Sequence, residues 1–290
     1  MLKKRRKNIG QKIIIGFIAL AVIFVFDFWL FSPKEISDSQ ERGSFNEEGE
    51  PVKPAMDLEE IDFLKETAEG SKSEIETEIE TVSETEVLPL KAKINQVPFL
   101  VQAPLAVWDE LYNEACEEAA LIMAKYWQSE KKLDKETGNQ EILNAVAWQE
   151  QNWGGHYDLS TEYIRKLGRE YFGLPKIYYT QVREINDLKR ELSKGNLVIV
   201  PTAGRLLNNP YYTTPGPAYH ALVLTGYQEG KFITHDPGTK RGENYIYEQA
   251  LVFAAIHDWP FSLGESSDLE KDEKAREVLK GEKIMIVIEK

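Results

Sequence analysis

One cysteine is the residue of this sequence best suited to nucleophilic catalysis. Cys116 is the single cysteine in 290 residues, so it is either a buried, inert side chain or a reactive thiol. The surrounding residues predict that it lies in the first turn of a helix, where exposed N–H groups and the helix dipole favour an anion. Because the thiolate is the nucleophilic form, this position would suit attack on an acyl carbon. Position alone leaves the inert alternative open.

A histidine could accept the thiol proton, and His220 is the best placed of the four in the sequence. It opens a predicted strand that is otherwise apolar, where an imidazole needs a polar partner and a thiolate would supply one. A histidine whose hydrogen bonds are satisfied within the core is the alternative. His156 and His257 lie in polar or helix-end contexts, so we expect neither to act in catalysis.

An aspartate at the end of the next predicted strand could orient that imidazole. Asp236 follows His235 directly, and the alternation of side chains along a strand places the two on opposite faces, so only one can face His220. A carboxylate there would bind the second imidazole nitrogen. The sequence Asp-Pro-Gly is also ordinary turn chemistry. The histidine and aspartate spacings match no zinc site, so we expect neither a metal nor a cofactor.

The elements that must position these residues are predicted from the period of the hydrophobic residues. Helices are predicted over 113–128, 139–152, 161–171, 184–193 and 247–257. Strands are predicted over 87–94, 176–179, 197–202, 219–227, 231–235 and 283–289. Helices followed by an antiparallel sheet are typical of the α+β class.

Four motifs follow one another along the chain: QAPLAVW at 102–108, NEACEEAAL at 113–121, HALVLTGY at 220–227 and Asp236-Pro237. In order and spacing they resemble the motifs of the C39-like cysteine peptidases. The resemblance covers about residues 97–258. It implies a papain-like cysteine protease fold, with N-terminal helices packed on an antiparallel sheet.

The resemblance also implies roles for four residues. Carried over position by position, Cys116 is the nucleophile and His220 the general base, Asp236 orients the imidazole, and Gln102 donates to the oxyanion. One departure concerns the residues after the cysteine, because many members of the family have Gly-Pro where this chain has Glu117-Glu118. Two carboxylates beside the thiol would oppose its ionisation unless they point to solvent.

Residues 1–32 predict a basic cytoplasmic tail and a single transmembrane helix. Six lysines and arginines precede an apolar run over 13–31 that only Asp27 interrupts, and about 19 residues are close to the length needed to cross a bilayer. The basic cluster favours an N-terminus in the cytoplasm and a C-terminus outside. A cleaved signal peptide is the alternative, but the run ends in bulky residues rather than in a small-x-small cleavage site.

The rest of the chain divides by composition. Residues 33–87 carry eighteen acidic and five basic side chains and no tyrosine, which predicts a disordered acidic stalk. Residues 88–290 hold every tyrosine and every tryptophan except Trp29, and are expected to form the C39-like cysteine peptidase domain. This part has no basic stripe, so we expect no nucleic-acid partner. An exported domain without disulfides is common on bacterial surfaces.

Together these features predict a membrane-anchored, extracytoplasmic cysteine peptidase that hydrolyses amide bonds through a Cys-His-Asp site. The expected partners are a peptide or protein substrate, which could be a cell-wall peptide, and the membrane through the N-terminal helix. Two alternatives stay open. One is a cell-wall amidase or endopeptidase, because the fold and the catalytic pair do not fix the acyl substrate. The other is a catalytically inactive surface binding domain.

Overall fold

A computed structural model gives the fold of residues 87–266 and 268–290. The basic tail, the transmembrane helix over 13–31 and the acidic stalk that the sequence predicts lie outside these residues. No helix in the described part of the chain has both the length and the apolar character needed to cross a bilayer.

A seven-stranded sheet, antiparallel at every pairing, is the framework of the described residues. Its strands are β1 (Lys91–Lys93), β2 (Ile177–Gln181), β3 (Leu197–Thr202), β4 (His220–Gln228), β5 (Lys231–His235), β6 (Tyr245–Glu248) and β7 (Ile284–Ile288). Six of them lie in the order β2-β7-β3-β4-β5-β6. The short β1 pairs with the last residues of β4, beyond the point where β3 ends its pairing.

Seven α-helices accompany the sheet in the described residues: α1 (Glu110–Asn113), α2 (Cys116–Gln128), α3 (Lys135–Trp153), α4 (Thr161–Glu170), α5 (Ile185–Ser193), α6 (Gln249–Ala255) and α7 (Lys271–Val278). A 3-10 turn covers Gly204–Leu207. Helix α2 packs against β4, α3 and α4, and eleven of its 13 residues are buried. A helix buried on all sides has no solvent face, so its polar side chains must find partners inside the protein.

Strands β3 and β4 form the centre of the core. Every residue of β3 and all but the last residue of β4 are buried, as in strands that are covered on both faces. Helices α2 and α5 both pack against β4. The first residue of β4 is His220, so the imidazole is held at the buried end of a strand in the centre of the core.

The turn between β4 and β5 fixes the register of β4, which begins with the predicted base, and of β5, which ends one residue before the predicted aspartate. Glu229 and Gly230 have φ values of 49° and 75°, and they join the pair Gln228 and Lys231 as a two-residue hairpin loop. Positive φ at both central residues matches the right-handed twist of the strands. From this turn the pairing runs back, through a bulge, to Val223 opposite His235.

The α+β class and the antiparallel sheet are confirmed, and β3 and β5 have the predicted bounds. The predicted helix 113–128 begins only at Cys116, because Asn113 closes the separate short helix α1. The predicted helix 247–257 begins at Gln249, because the residues before it pair with β5 as β6. Helix α7 was not predicted, and the strand expected over 87–94 is confined to β1.

We expect the enclosure of β4 to dominate the stability of the fold. The Leu222→Ala substitution removes a side chain that is 0% exposed and should lower the free energy of unfolding by about 2–5 kcal/mol. Leu90→Ala is the matched control, since Leu90 is 94% exposed and its truncation should cost less than about 0.5 kcal/mol. Urea unfolding of the purified full-length protein measures both. Equal losses in the two variants would contradict the packing described for β4.

Candidate active site

The cysteine occupies the first residue of α2 and is 3% exposed. Its thiol donates a hydrogen bond to Oε2 of Glu117 at 2.8 Å. Burial raises the pKa of the Cys116 thiol well above its ordinary value and the Glu117 carboxylate adds to this, while the backbone N–H of Ala221 opposes them. The resting side chain is therefore a thiol, and its nucleophilic form has to be produced by removal of the proton.

The histidine that opens β4 is held by an aspartate. His220 is 1% exposed, and its Nε2 lies 2.8 Å from Oδ1 of Asp236. Because Nε2 is occupied, Nδ1 is the ring nitrogen left for a reacting partner. The sulfur of Cys116 lies beside the backbone of Ala221, the next residue after His220. Within the described residues, however, the thiol makes its hydrogen bond to Glu117, and none joins it to the imidazole.

Asp236 is fully buried and accepts hydrogen bonds at both carboxylate oxygens. Oδ1 binds the imidazole and also accepts from the backbone N–H of Gly238 at 2.9 Å. Burial raises its pKa, but His220 and the surrounding donors outweigh this effect, so the pKa of Asp236 is lowered below its ordinary value. The residue is therefore a carboxylate that fixes the orientation of the imidazole. A Cβ at Gly238 would lie 2.9 Å from Cε1 of His220, which explains the glycine at this turn.

Three further side chains, which sequence reasoning missed, hold the other oxygen of this aspartate. Oδ2 accepts from Asn209 Nδ2 at 2.9 Å, from Tyr212 Oη at 2.8 Å and from Tyr247 Oη at 2.7 Å. Two of them belong to the segment before β4 and one to β6. The ring of Tyr212 also packs edge-on against His220, with 5.5 Å between ring centroids. No local pattern in the sequence signals these contacts.

Gln102 lies close to the site but its amide is directed elsewhere. Its backbone N–H donates to the carbonyl of Pro237 at 2.9 Å, which ties it to the turn after Asp236. Its Nε2 donates to the carbonyl oxygens of Tyr112 at 2.8 Å and Asn113 at 3.0 Å. Its buried Oε1 has no hydrogen-bond partner among the residues described. In this conformation Gln102 joins the turn to α1, and donation to an oxyanion would require its side chain to rotate.

The two glutamates after the cysteine point into the protein, since both are 0% exposed. Oε1 of Glu117 accepts the backbone N–H of Leu159 at 3.0 Å. Oε1 of Glu118 accepts from Gln149 Nε2 and lies 3.4 Å from Nε2 of His156. Two carboxylates beside the thiol would leave its ionisation unaffected only if they pointed to solvent, and neither of them does. The signal that could have shown this is the apolar character of α2 around its whole circumference.

Burial and the neighbouring charges shift the protonation of Glu117 and His156. Burial, together with the charge of Glu118, raises the pKa of Glu117 to about 8. Burial alone would lower the pKa of His156, but Glu118 outweighs it, with help from Glu117 and Glu114, and raises it to about 9. The surroundings therefore favour the protonated form of Glu117 and the charged form of His156. His156, for which no role was expected, is the cation paired with Glu118.

The site is closed in this conformation. Cys116, His220, Asp236 and Gln102 are all 4% exposed or less. Residues 87–266 and 268–290 contain no group of three or more histidine, cysteine, aspartate or glutamate side chains arranged to hold a metal ion. The hydrogen bonds of the site pair the sulfur of Cys116 with the Glu117 carboxyl group and the imidazole of His220 with the Asp236 carboxylate.

Comparison with known proteins gives the family. No curated protein matches the sequence. Among solved structures, a candidate C39-like peptidase from Bacillus anthracis matches at 16% sequence identity and a TM-score of 0.41, covering 69% of this chain and 98% of that chain. The sequence model of the Peptidase_C39 like family matches residues 94–260, which is more than half of the chain and includes all four predicted site residues. The chain belongs to the Peptidase_C39 like family.

Proposed function

We propose that the protein is a cysteine peptidase in which Cys116 is the nucleophile, His220 the general base and Asp236 the residue that orients the imidazole. The observation that carries the proposal is the 2.8 Å contact between Asp236 Oδ1 and His220 Nε2. It leaves Nδ1 available at the start of β4, next to the residue whose backbone faces the sulfur. Membership of the C39-like family supports the same assignment.

The reaction runs in two stages. His220 Nδ1 takes the thiol proton, and the thiolate attacks the carbonyl carbon of the scissile amide. The negative charge that forms on the carbonyl oxygen is stabilised by the backbone N–H of Cys116, at the N-terminus of α2, and by Gln102 after rotation of its amide. The imidazolium then protonates the leaving amine, which departs and leaves a thioester on Cys116. Water, deprotonated by His220, hydrolyses the thioester and the thiol is restored.

A peptide substrate requires the site to open, and the surroundings offer a surface for it. The loop that follows Gln102 exposes three large apolar side chains, Leu105, Val107 and Trp108, which are 48%, 53% and 41% exposed. The hydrogen bonds of Gln102 hold the start of this loop beside α1 and the turn after Asp236. We propose that the loop contacts apolar side chains of an extended peptide that reaches Cys116.

A specific observation favours one alternative, an inactive binding domain. The thiol is directed at Glu117 rather than at the imidazole, and burial raises its pKa. A protein in which the thiol stays bound to Glu117 would have the fold of the family but would not form the thiolate nucleophile.

Substitution of the nucleophile and of the base separates the two candidates. We expect Cys116→Ala to abolish hydrolysis and His220→Ala to be nearly as severe, because the thiol then loses its proton acceptor and the amine its donor. His257→Ala is the matched control, since His257 binds the carbonyl of Gly281 and has no contact with Asp236. The measurement combines cleavage of a peptide library, followed by mass spectrometry, with labelling by iodoacetamide. No cleavage, and a labelling rate that His220→Ala leaves unchanged, would favour the inactive domain.

The oxyanion role of Gln102 has its own test. Gln102→Ala should lower kcat by about 10²–10³, the usual effect of removing one oxyanion donor, with a much smaller change in KM. Gln102→Glu is the matched comparison, because it preserves the length of the side chain and replaces the amide donor by an acceptor. A kcat within a few-fold of wild type in both variants would restrict Gln102 to holding α1 against the turn after Asp236.

We further propose that residues 1–32 anchor the protein in the membrane, that 33–87 form an acidic stalk, and that 88–290 lie outside the cytoplasm. The basic cluster and the apolar run of the sequence support this topology. Protease added to intact cells should therefore digest the C-terminal domain and spare a cytoplasmic marker protein. Full protection of the domain would reverse the orientation. Release of a shortened protein into the medium would instead indicate a cleaved signal peptide.

A further inference from the structure

The carboxyl group of Glu117 has two different hydrogen-bond partners. Oε1 accepts the backbone N–H of Leu159 at 3.0 Å, and Oε2 lies 2.8 Å from Sγ of Cys116. The side chain is 0% exposed, so no bulk water competes for either oxygen. In a neutral carboxylic acid the carbonyl oxygen accepts a hydrogen bond, while the hydroxyl oxygen can accept from a thiol and donate to a thiolate. The two contacts are therefore compatible with a protonated Glu117.

The titratable groups around Glu117 include three acids and two cations. They are Cys116 and Glu118 from α2, Glu114 from the turn before it, His156 and Asp158 from the loop after α3, Tyr219 before β4, and Lys274 of α7 through its contact with Asp158. The two cations are bound to other carboxylates, His156 at 3.4 Å from Glu118 and Lys274 at 3.3 Å from Asp158. An ionised Glu117 would therefore be buried among acids without a cation of its own.

The protonation of Glu117 decides the direction of its hydrogen bond with the sulfur. If Glu117 is ionised, Oε2 accepts from the thiol and holds the proton on sulfur, which opposes formation of the nucleophile. If Glu117 is protonated, the hydroxyl can donate to sulfur, and a hydrogen bond to the charged form favours the thiolate. One contact can therefore inhibit or support catalysis, depending on a single proton.

We propose, on the basis of the peptidase function argued above, that Glu117 is a positioning residue that works as a neutral acid and donates a hydrogen bond from Oε2 to the Cys116 thiolate. The thiol proton passes to Nδ1 of His220, and the proton of Glu117 stays on Oε2. The site thus holds the same number of protons before and after the nucleophile forms. If Glu117 loses its proton, Oε2 accepts a hydrogen bond from the thiol. This bond keeps the proton on sulfur, so the nucleophile does not form.

Glu118 keeps Glu117 in this state. Its charge, held at Oε1 by Gln149 and next to His156, lies one residue away in the same buried turn. Burial, and after it the charge of Glu118, raises the pKa of Glu117 to about 8. Glu117 is therefore protonated at pH 7, and the reactive state is lost as the pH rises through about 8. Two charged glutamates beside the thiol would oppose its ionisation, but here burial and the charge of Glu118 hold Glu117 neutral, so Glu117 can support the thiolate.

The Glu117→Gln substitution tests the proposal, because an amide reproduces the neutral acid at every pH. Its Oε1 can accept from Leu159 and its Nε2 can donate to sulfur. In wild type, the rate of alkylation of Cys116 by iodoacetamide should fall as the pH rises through about 8, and in Glu117→Gln this fall should be absent. Glu117→Leu, which cannot donate, should lower the rate at pH 7 about 10- to 100-fold relative to Glu117→Gln.

The control is Glu110→Gln, which removes the same charge from an exposed position on α1 and should leave the alkylation profile unchanged.

Infrared difference spectra of the full-length protein supply a second measurement. The difference spectrum between wild type and Glu117→Gln at pH 6.5 should contain the carbonyl stretch of a protonated carboxylic acid, and this band should diminish by pH 9. Identical alkylation profiles in wild type and Glu117→Gln, or absence of the carboxylic acid band, would overturn the proposal. Neither measurement uses a peptide substrate, so failure of peptide hydrolysis is a separate result.

Discussion

The burial of the first turn of α2 against β4 is the constraint on which the rest of the site depends. A helix with eleven of 13 residues buried has no solvent face, so Cys116, Glu117 and Glu118 all project into the interior. Each polar group must then be hydrogen-bonded or neutralised. Leu159, Gln149 and His156 supply the partners, and the raised pKa values of the thiol and of Glu117 follow from the same burial.

Asp236 and Glu117 are both buried carboxyl groups, but their surroundings shift their pKa values in opposite directions. Asp236 is surrounded by donors: the imidazole, a backbone N–H, an amide and two tyrosine hydroxyls. Its pKa is lowered and it acts as a fixed anion. Glu117 is buried and lies next to the charge of Glu118, so its pKa is raised. Environments that push the pKa values of two titratable groups apart are a recurrent feature of acid–base sites, and here the two groups lie on either side of the proposed cysteine–histidine pair.

Much of the framework could be predicted from the sequence. The alternating and helical periods gave β3 and β5 with their bounds and the main helices within a few residues. The errors occurred where local pattern and pairing disagree. Tyr247 and Glu248 continue the helical pattern of α6 in sequence, yet they belong to a strand because the edge of β5 is available to them. Helix α7 is strongly charged and has one buried residue, Val278, so it carries almost no hydrophobic period to detect.

The sequence by itself determined the α+β class, the order of the four motifs and the placement of Cys116 at a helix start and His220 at a strand start, because these depend on neighbours within a few positions. Only the tertiary structure decided the direction of each polar group. Glu117 meets a backbone N–H 42 positions away, Asp236 meets an asparagine 27 positions away, and the amide of Gln102 turns to carbonyls 10 and 11 positions away. Periodicity cannot encode such contacts, because hydrogen-bond geometry and pKa depend on groups that only the packed core brings together.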